Sequence, residues 1–224
     1  MENVPASLGF AFGLVVLIAV ALFWRAAHYS RLTLGVLLGW LALQSTVALR
    51  GFYAITNTVP PHALGLVGPP VLLIGLLFAT ARGRRYLNGL DLKMLTLLHA
   101  VRIPVELVLF GLFAQRAVPE LMTFAGRNWD ILSGLSAPLV YFLVFTRQVP
   151  GRVGLLVWNF ICLGLLLNIV ANALLSVPGP FQRLAFEQPN VAILRFPFNL
   201  LPAVVVPLVL LAHLAAIRQF MRRA

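Results

Sequence analysis

Long apolar segments recur along almost the whole chain, and they constrain its fold more than any other feature. A membrane-spanning helix needs about 20 mostly apolar residues. Seven segments approach that length, at roughly 6–24, 32–50, 64–81, 93–114, 130–146, 153–176 and 197–217. Only 10% of the 224 residues are charged, whereas soluble proteins carry about 25%. The pattern predicts an all-α integral membrane bundle of about seven helices in one domain, 1–224.

The distribution of positive charge predicts how these helices are oriented. The formal net charge is +11, but the basic residues occur singly or in pairs at the ends of apolar segments. That arrangement is typical of topology signals, so we expect no nucleic-acid binding. If the N-terminus is outside, eleven basic residues fall in inner segments and five in outer segments. Because inner loops are enriched in Arg and Lys, we expect an outside N-terminus and a cytoplasmic C-terminus.

The fourth apolar segment carries charged residues near its middle. Arg102 and Glu106 are four residues apart and share a helix face, and His99 lies within about 60° of the same stripe. Pro104 leaves the carbonyl of Ala100 without its helical partner. A charge at the bilayer centre costs about 2.5–3.5 kcal/mol. Two interpretations stay open: an ion pair that stabilises the bundle, or a site for a ligand, an ion or a proton.

Other polar residues fall between the midplane and the outer surface in this topology. They are Arg50, Asn128, Asp130, Asn168, Asn172, Arg195 and Asn199. Some have structural alternatives: Asn128 or Asp130 could cap a helix, and Arg50 could reach the membrane interface. Asn168 and Asn172 form one stripe, and Asn159 is predicted on the opposite face. With Arg102 and Glu106 these residues predict a polar cavity near the outer face. Because arginines outnumber carboxylates there, we expect an anionic or strongly polar ligand.

Several chemistries known for membrane proteins lack their residues in this sequence. The single lysine, Lys93, lies at a predicted helix end, so a retinal Schiff base is excluded. No metal site and no cofactor are expected, because the four histidines lack ligand spacing. They are His28, His62, His99 and His213. The single cysteine, Cys162, is predicted to be a packing residue.

Residues 99–106, 119–124 and 126–134 resemble segments of uncharacterised bacterial polytopic membrane proteins. The similarity extends to Gln188-Pro189-Asn190 and to the proline-rich seventh segment, and it covers about the C-terminal two thirds of the chain. The resemblance implies a location in a bacterial inner membrane. Since that group has no established activity, it implies no catalytic residue.

Three functions are compatible with these features. The first is binding or transport of a small polar or anionic ligand, with Arg102 and Glu106 as the core of the site and Glu106 as a proton-coupling group. The second is a membrane-embedded enzyme for lipid-like substrates, with Asp130 or Glu106 as acid or base. The third is a structural or sensory subunit that signals through a partner. All three functions have the lipid bilayer as the expected partner. The oligomeric state stays open.

Overall fold

The computed structural model describes residues 4–149 and 151–222, and this part of the chain contains helices and no strand. The α-helices are α1 Ala6–Ala26, α2 Arg31–Leu49, α3 Leu64–Ala79, α4 Ala81–Gly89, α5 Leu92–Leu98, α6 Arg102–Ala114, α7 Ile131–Phe145, α8 Gly151–Ser176 and α9 Val206–Met221. Short 3₁₀ turns occur at Phe52–Ala54, His99–Val101, Glu120–Met122 and Ala192–Leu194. A π-helical segment, Leu201–Val205, leads directly into α9.

Five helical segments are long and apolar enough to cross a membrane. They are Ala6–Ala26, Arg31–Leu49, Leu92–Ala114, Val153–Ser176 and Leu201–Met221. α3 and α4 together would make a sixth, although the chain bends by 96° between them. α7 is apolar but has only 15 residues. The expected all-helical, membrane-type architecture is therefore found, with five to six candidate spans by length and composition.

The third apolar segment ends earlier than its hydropathy predicts. The helix stops at Ala79 because Thr80 has an extended backbone, and the Thr80 side chain accepts a hydrogen bond from the Gly83 amide at 3.1 Å. This N-cap starts a new helix, α4, in a new direction. The arginines at 82, 84 and 85, expected in a loop, belong to this helix.

Proline shapes both segments that carry the most buried polar side chains. The fourth apolar segment changes from α-helix to a 3₁₀ turn at His99–Val101, beside the carbonyl of Ala100, to which Pro104 cannot donate. In the seventh segment Pro207 similarly deprives the carbonyl of Ala203 of a donor. The Trp40 indole of α2 donates to that carbonyl at 2.8 Å. The proline-rich seventh segment accordingly begins with a π-helical turn.

The helices differ greatly in how much of their surface is buried. In an 18-residue stretch of the span Leu201–Met221, which includes α9, 72% is buried, against 11% in the corresponding stretch of α2. α9 is therefore central, and it packs against α8, α5, α4 and α3. The exposed surface of α2 is rich in leucine and valine. Such a face suits contact with lipid chains.

Candidate functional site

Seven polar side chains meet in the interior of the bundle, and we call them the buried network. They are His99, Arg102, Glu106, Asn128, Asp130, Asn159 and His213. Each has a relative exposure of 5% or less. They come from the fourth apolar segment, from α8, from α9 and from the loop that precedes α7. Polar groups this deep need partners, since an unpaired one is costly in a low-dielectric interior.

Arg102 lies at the centre of the network and links its two ends. One terminal nitrogen, Nη1, donates to Asp130 Oδ1 at 2.9 Å and lies 3.5 Å from the carbonyl oxygen of Cys162. The other, Nη2, donates to His213 Nε2 at 3.0 Å. One guanidinium thus holds α6 to the start of α7 and to α9. A buried, charge-assisted pair of this kind restrains both of its partners.

The contact with Arg102 fixes which nitrogen of His213 carries the proton. A guanidinium only donates, so His213 Nε2 must accept and the proton must be on Nδ1. His213 Nδ1 accordingly donates to Asn159 Oδ1 at 2.9 Å, and Asn159 Nδ2 donates to the carbonyl of Leu155 at 2.8 Å. The result is a chain of hydrogen bonds with a fixed direction and a neutral His213.

A second histidine lies directly against His213. The rings of His99 and His213 are stacked, with centroids 3.9 Å apart and an interplanar angle of 17°. The ring of Trp158 meets His99 edge-on at 5.4 Å. His99 Nδ1 is buried and has no hydrogen-bond partner among the described residues. Stacking at this distance is compatible with two neutral rings, whereas two cations would repel each other.

Glu106 belongs to the other end of the network, where Asn128 organises the carboxylates. Asn128 Nδ2 donates to Glu106 Oε1 and, at 3.0 Å, to the carbonyl of Met122. Asn128 Oδ1 accepts from the Asp130 amide at 3.0 Å. One amide side chain therefore positions Glu106 and the backbone of Asp130 together. The second oxygen of Glu106, Oε2, has no partner in the described part of the chain.

A glycine lets α7 approach Arg102 closely. A Cβ atom added at Gly134 would lie 3.0 Å from the amide nitrogen of Ile103 and 3.2 Å from Cβ of Arg102. Backbone atoms at that distance cannot yield easily, so any side chain here would push the helices apart. The neighbouring Ser133 is fully buried, and its Oγ is also without a partner among the described residues.

The structure corrects the pairing that helix periodicity predicted. Arg102 forms its ion pair with Asp130 and not with Glu106, whose partner is Asn128. The capping role considered for Asp130 is also wrong, because its side chain makes no cap hydrogen bond and turns to Arg102. Asn128 does hold the turn before α7, through the Asp130 amide.

His213 and Asn159 are network members that sequence reasoning missed. His213 has no metal-ligand spacing in the sequence, and helix periodicity predicts Asn159 on the face opposite Asn168. That placement agrees with the structure, but the face of Asn159 is the one that points into the network. The available signal was a polar residue in the middle of an otherwise apolar helix.

Five predicted site residues lie outside the network, and four of them are exposed or half-buried. Arg50 and Arg195 are exposed, and Arg50 ends α2 as its C-cap residue. Asn168 is exposed and donates to the carbonyl of Arg127 at 3.1 Å, while Asn172 is half-buried with its amide 3.5 Å from Asn168. The single outer cavity expected from all these residues is therefore not what the fold assembles.

Asn199 belongs to a separate buried group around Gln44. Asn199 Nδ2 donates to the Gln44 carbonyl at 3.1 Å, the Gln44 side chain donates to the Gly65 carbonyl at 3.2 Å, and the Tyr53 hydroxyl donates to Gln44 Oε1 at 2.7 Å. Burial raises the pKa of the Tyr53 hydroxyl, and the hydrogen bond to Gln44 partly opposes that rise. This neutral group fastens α2 to α3 and to the start of the seventh segment.

The described residues contain no group of three or more His, Cys, Asp or Glu side chains placed to hold a metal ion. The chemistry that the buried network offers is instead that of hydrogen bonds and protons. It contains one guanidinium, two carboxyl groups and two imidazoles. Four polar atoms of this region lack a partner among the described residues: His99 Nδ1, Arg102 Nε, Glu106 Oε2 and Ser133 Oγ.

Comparisons with known proteins give a family and no activity. No curated protein and no solved structure is significantly similar to this chain. A family model described as a domain of unknown function (DUF8737) matches residues 59–221. The matched region is well over half of the chain and contains all seven residues of the buried network. This chain therefore belongs to the DUF8737 family.

Proposed function

We propose that this protein binds a small polar ligand within the membrane and transports it, with Glu106 exchanging a proton as the bundle changes conformation. The observation that carries the proposal is the charge imbalance of the buried network, which contains one guanidinium and two carboxyl groups. A net charge at this depth is costly, and a single proton on Glu106 would remove it. Loss of that proton would weaken the packing around Arg102 and favour an open state.

The unpartnered polar atoms support a site that changes its contacts. A network that serves only to fasten helices would be expected to satisfy its donors and acceptors. Here one atom each of His99, Arg102 and Glu106 is buried without a partner among the described residues. Water, a proton or a polar ligand could supply these hydrogen bonds in another state of the protein.

The structure gives less support to an anionic ligand, which the sequence also suggested. That expectation depended on an excess of arginines over carboxylates. Arg50 and Arg195 are exposed and are not hydrogen-bond partners of the network, which leaves Arg102 with two carboxyl groups. A neutral polar or cationic ligand fits this composition better.

The proposed topology has seven spans in a bacterial inner membrane, with the N-terminus outside. α3 and α7 would then be short spans of about 24 and 22 Å at 1.5 Å per residue, less than the roughly 30 Å hydrocarbon thickness. The excess of basic residues in the inner segments supports the orientation.

In a variant with Cys162→Ala, a membrane-impermeant maleimide should label Arg183→Cys in intact cells. It should label Arg25→Cys only after permeabilisation, and the reverse pattern would refute this orientation.

An infrared pH titration tests the role of Glu106. Purified protein in lipid nanodiscs should show the carbonyl stretch of a protonated carboxyl group, and Glu106→Gln should remove it. Glu120→Gln, which changes an exposed carboxylate, is the matched control and should leave the band unchanged. If the band is absent or persists in Glu106→Gln, Glu106 is not the proton-exchanging group.

Hydrogen exchange then tests whether that proton controls opening. Amides of α6 should exchange faster in wild type at alkaline pH than the intrinsic rate accounts for. This excess should vanish in Glu106→Gln, which cannot acquire a charge.

A structural or sensory subunit is the second candidate, and the closure of the network favours it. All seven residues have a relative exposure of at most 5% in this conformation. On this alternative the two pH-dependent signals would be missing, while loss of Arg102 would still destabilise the bundle.

A further inference from the structure

A concentration of arginine lies at the C-terminal end of α9, outside the buried network. α4 and the last turns of α9 form an open cleft of about 420 Å³. The residues that line it are Ala81, Arg84, Arg85, Asn88, Arg218 and Arg222. None of these six residues is acidic. The volume is within the range of about 300–1,000 Å³ that is common for sites of small ligands.

The walls of this basic cleft are held in place by specific hydrogen bonds. Arg84 Nη1 donates to the carbonyls of Ala79 at 2.7 Å and Phe78 at 3.3 Å, at the end of α3. Gln219 of α9 donates to the carbonyls of Leu87 and Leu90, at 2.8 and 2.9 Å, where α4 ends. These hydrogen bonds hold α4 to the end of α3 and to α9, and so position the helices that line the cleft.

The charge of the basic cleft is not compensated by its own lining. Arg218 lies with its guanidinium carbon 5.9 Å from the centre of the Phe78 ring, and its Nε is buried without a hydrogen-bond partner among the described residues. Arg85 and Arg222 are exposed at the rim. Four guanidinium groups around one cleft repel each other, and an anion bound between them would offset that repulsion. Arginine is well suited to phosphate, because its planar group binds two oxygens at once.

We propose that the basic cleft between α4 and α9 binds a phosphate group, either that of an anionic lipid headgroup or that of a soluble phosphate. α4 follows a 96° bend at the end of α3, so the cleft lies where a helix of the bundle ends and headgroups would be found. Basic pockets between membrane helices bind lipid phosphates in this way. This inference does not depend on the proposed role of Glu106.

Binding measurements on the full-length protein in nanodiscs test the proposal. The probes are phosphatidic acid titrated into neutral phosphatidylcholine nanodiscs, and inorganic phosphate added to neutral nanodiscs. The test variant is Arg85→Gln/Arg222→Gln, which changes only exposed side chains. The control is Arg25→Gln/Arg31→Gln, which removes two exposed arginines elsewhere on the chain. The test variant should lose affinity about 30-fold, and the control should change it less than about threefold.

Each outcome supports or overturns the proposal. Selective loss of phosphatidic acid binding supports a lipid site, and selective loss of inorganic phosphate binding supports a soluble phosphate. Equal weakening by the test and control variants would mean a general effect of charge and would overturn the proposal. So would the absence of binding of both probes to the wild-type protein.

Discussion

The buried network and the basic cleft use arginine in opposite ways. In the network a single arginine, Arg102, is 3% exposed and is paired with Asp130 and with His213. In the cleft four arginines surround an open space, and none of its lining residues is acidic. A cation in the interior must bring its own partner, since the surroundings cannot solvate it. A cation at the surface is solvated by water and can bind an anion from solution or from the membrane. The cleft is therefore where we expect an anion to bind.

The largest expected effect is the difference in stability between removing the buried Arg102 and removing an arginine on the surface. Arg102→Met leaves the carboxyl of Asp130 buried without its cation, and should lower the free energy of unfolding by about 3–5 kcal/mol. Arg195→Met, which changes an exposed arginine, should alter it by less than about 0.5 kcal/mol. Chemical unfolding in nanodiscs would measure both.

The variant Arg102→Met/Asp130→Leu checks the reason for this effect. It should recover part of the loss, because the unpaired charge is gone. Equal stability of Arg102→Met and Arg195→Met would show that the ion pair contributes nothing.

The close approach of α7 to Arg102 gives the next largest effect. Gly134→Ala should destabilise the bundle by about 1–3 kcal/mol, because its Cβ would meet the backbone of Ile103 at 3.0 Å. Gly164→Ala in α8 meets nothing within 4 Å and should be neutral or slightly stabilising. Thermal unfolding would rank the two variants. A neutral Gly134→Ala would mean that α7 is not packed this tightly.

Two asparagines of α8 sharpen the comparison between interior and surface within one helix. Asn159→Ala removes the acceptor of His213 Nδ1 and should cost about 1–2 kcal/mol. Asn168→Ala changes an exposed side chain bonded to a loop carbonyl, so its cost should be well below 1 kcal/mol. A larger loss for Asn168→Ala than for Asn159→Ala would contradict the network.

The smallest effect is expected in the basic cleft. Arg85→Gln/Arg222→Gln removes repulsion as well as charge, and should change the free energy of unfolding by less than about 0.5 kcal/mol in neutral lipid. If anionic lipid occupies the cleft, the wild type should gain thermal stability from added phosphatidic acid and this variant should gain less. Equal gains in thermal stability for the wild type and the variant would show that the cleft is not where the anionic lipid binds.

The fold class could be predicted from sequence because hydropathy acts locally. Segments such as 6–24 and 153–176 are apolar over a bilayer's length, and both are helices. The third segment is an instructive exception. Its apolar composition continues to residue 81, but Thr80 starts a new helix through its own side-chain cap. A cap of this kind is a local signal in the sequence. It is overlooked when hydropathy is averaged over a stretch as long as a membrane span.

The candidate site could be predicted only in part. His99, Arg102 and Glu106 were found because polar residues in the middle of an apolar segment are costly wherever they point. Asn128 and Asp130 also belong to the predicted site, but the sequence does not show which of them contacts Arg102 and which contacts Glu106. Periodicity showed that Arg102 and Glu106 share a helix face, yet each side chain turns to a different partner from the loop before α7.

The sequence by itself determined that this chain is helical, apolar enough for a membrane, and costly to charge at its fourth segment. The 1.5 Å rise of a helix sets how many residues a span needs, and the free energy of transferring side chains into the membrane sets which residues it can contain. Both can be judged from a short stretch of sequence. Only the tertiary structure decided that Arg102 meets Asp130 and His213, which are 28 and 111 positions away. It also decided that Arg50 and Arg195 stay at the surface. Such pairings depend on how helices pack, and no local pattern contains that information.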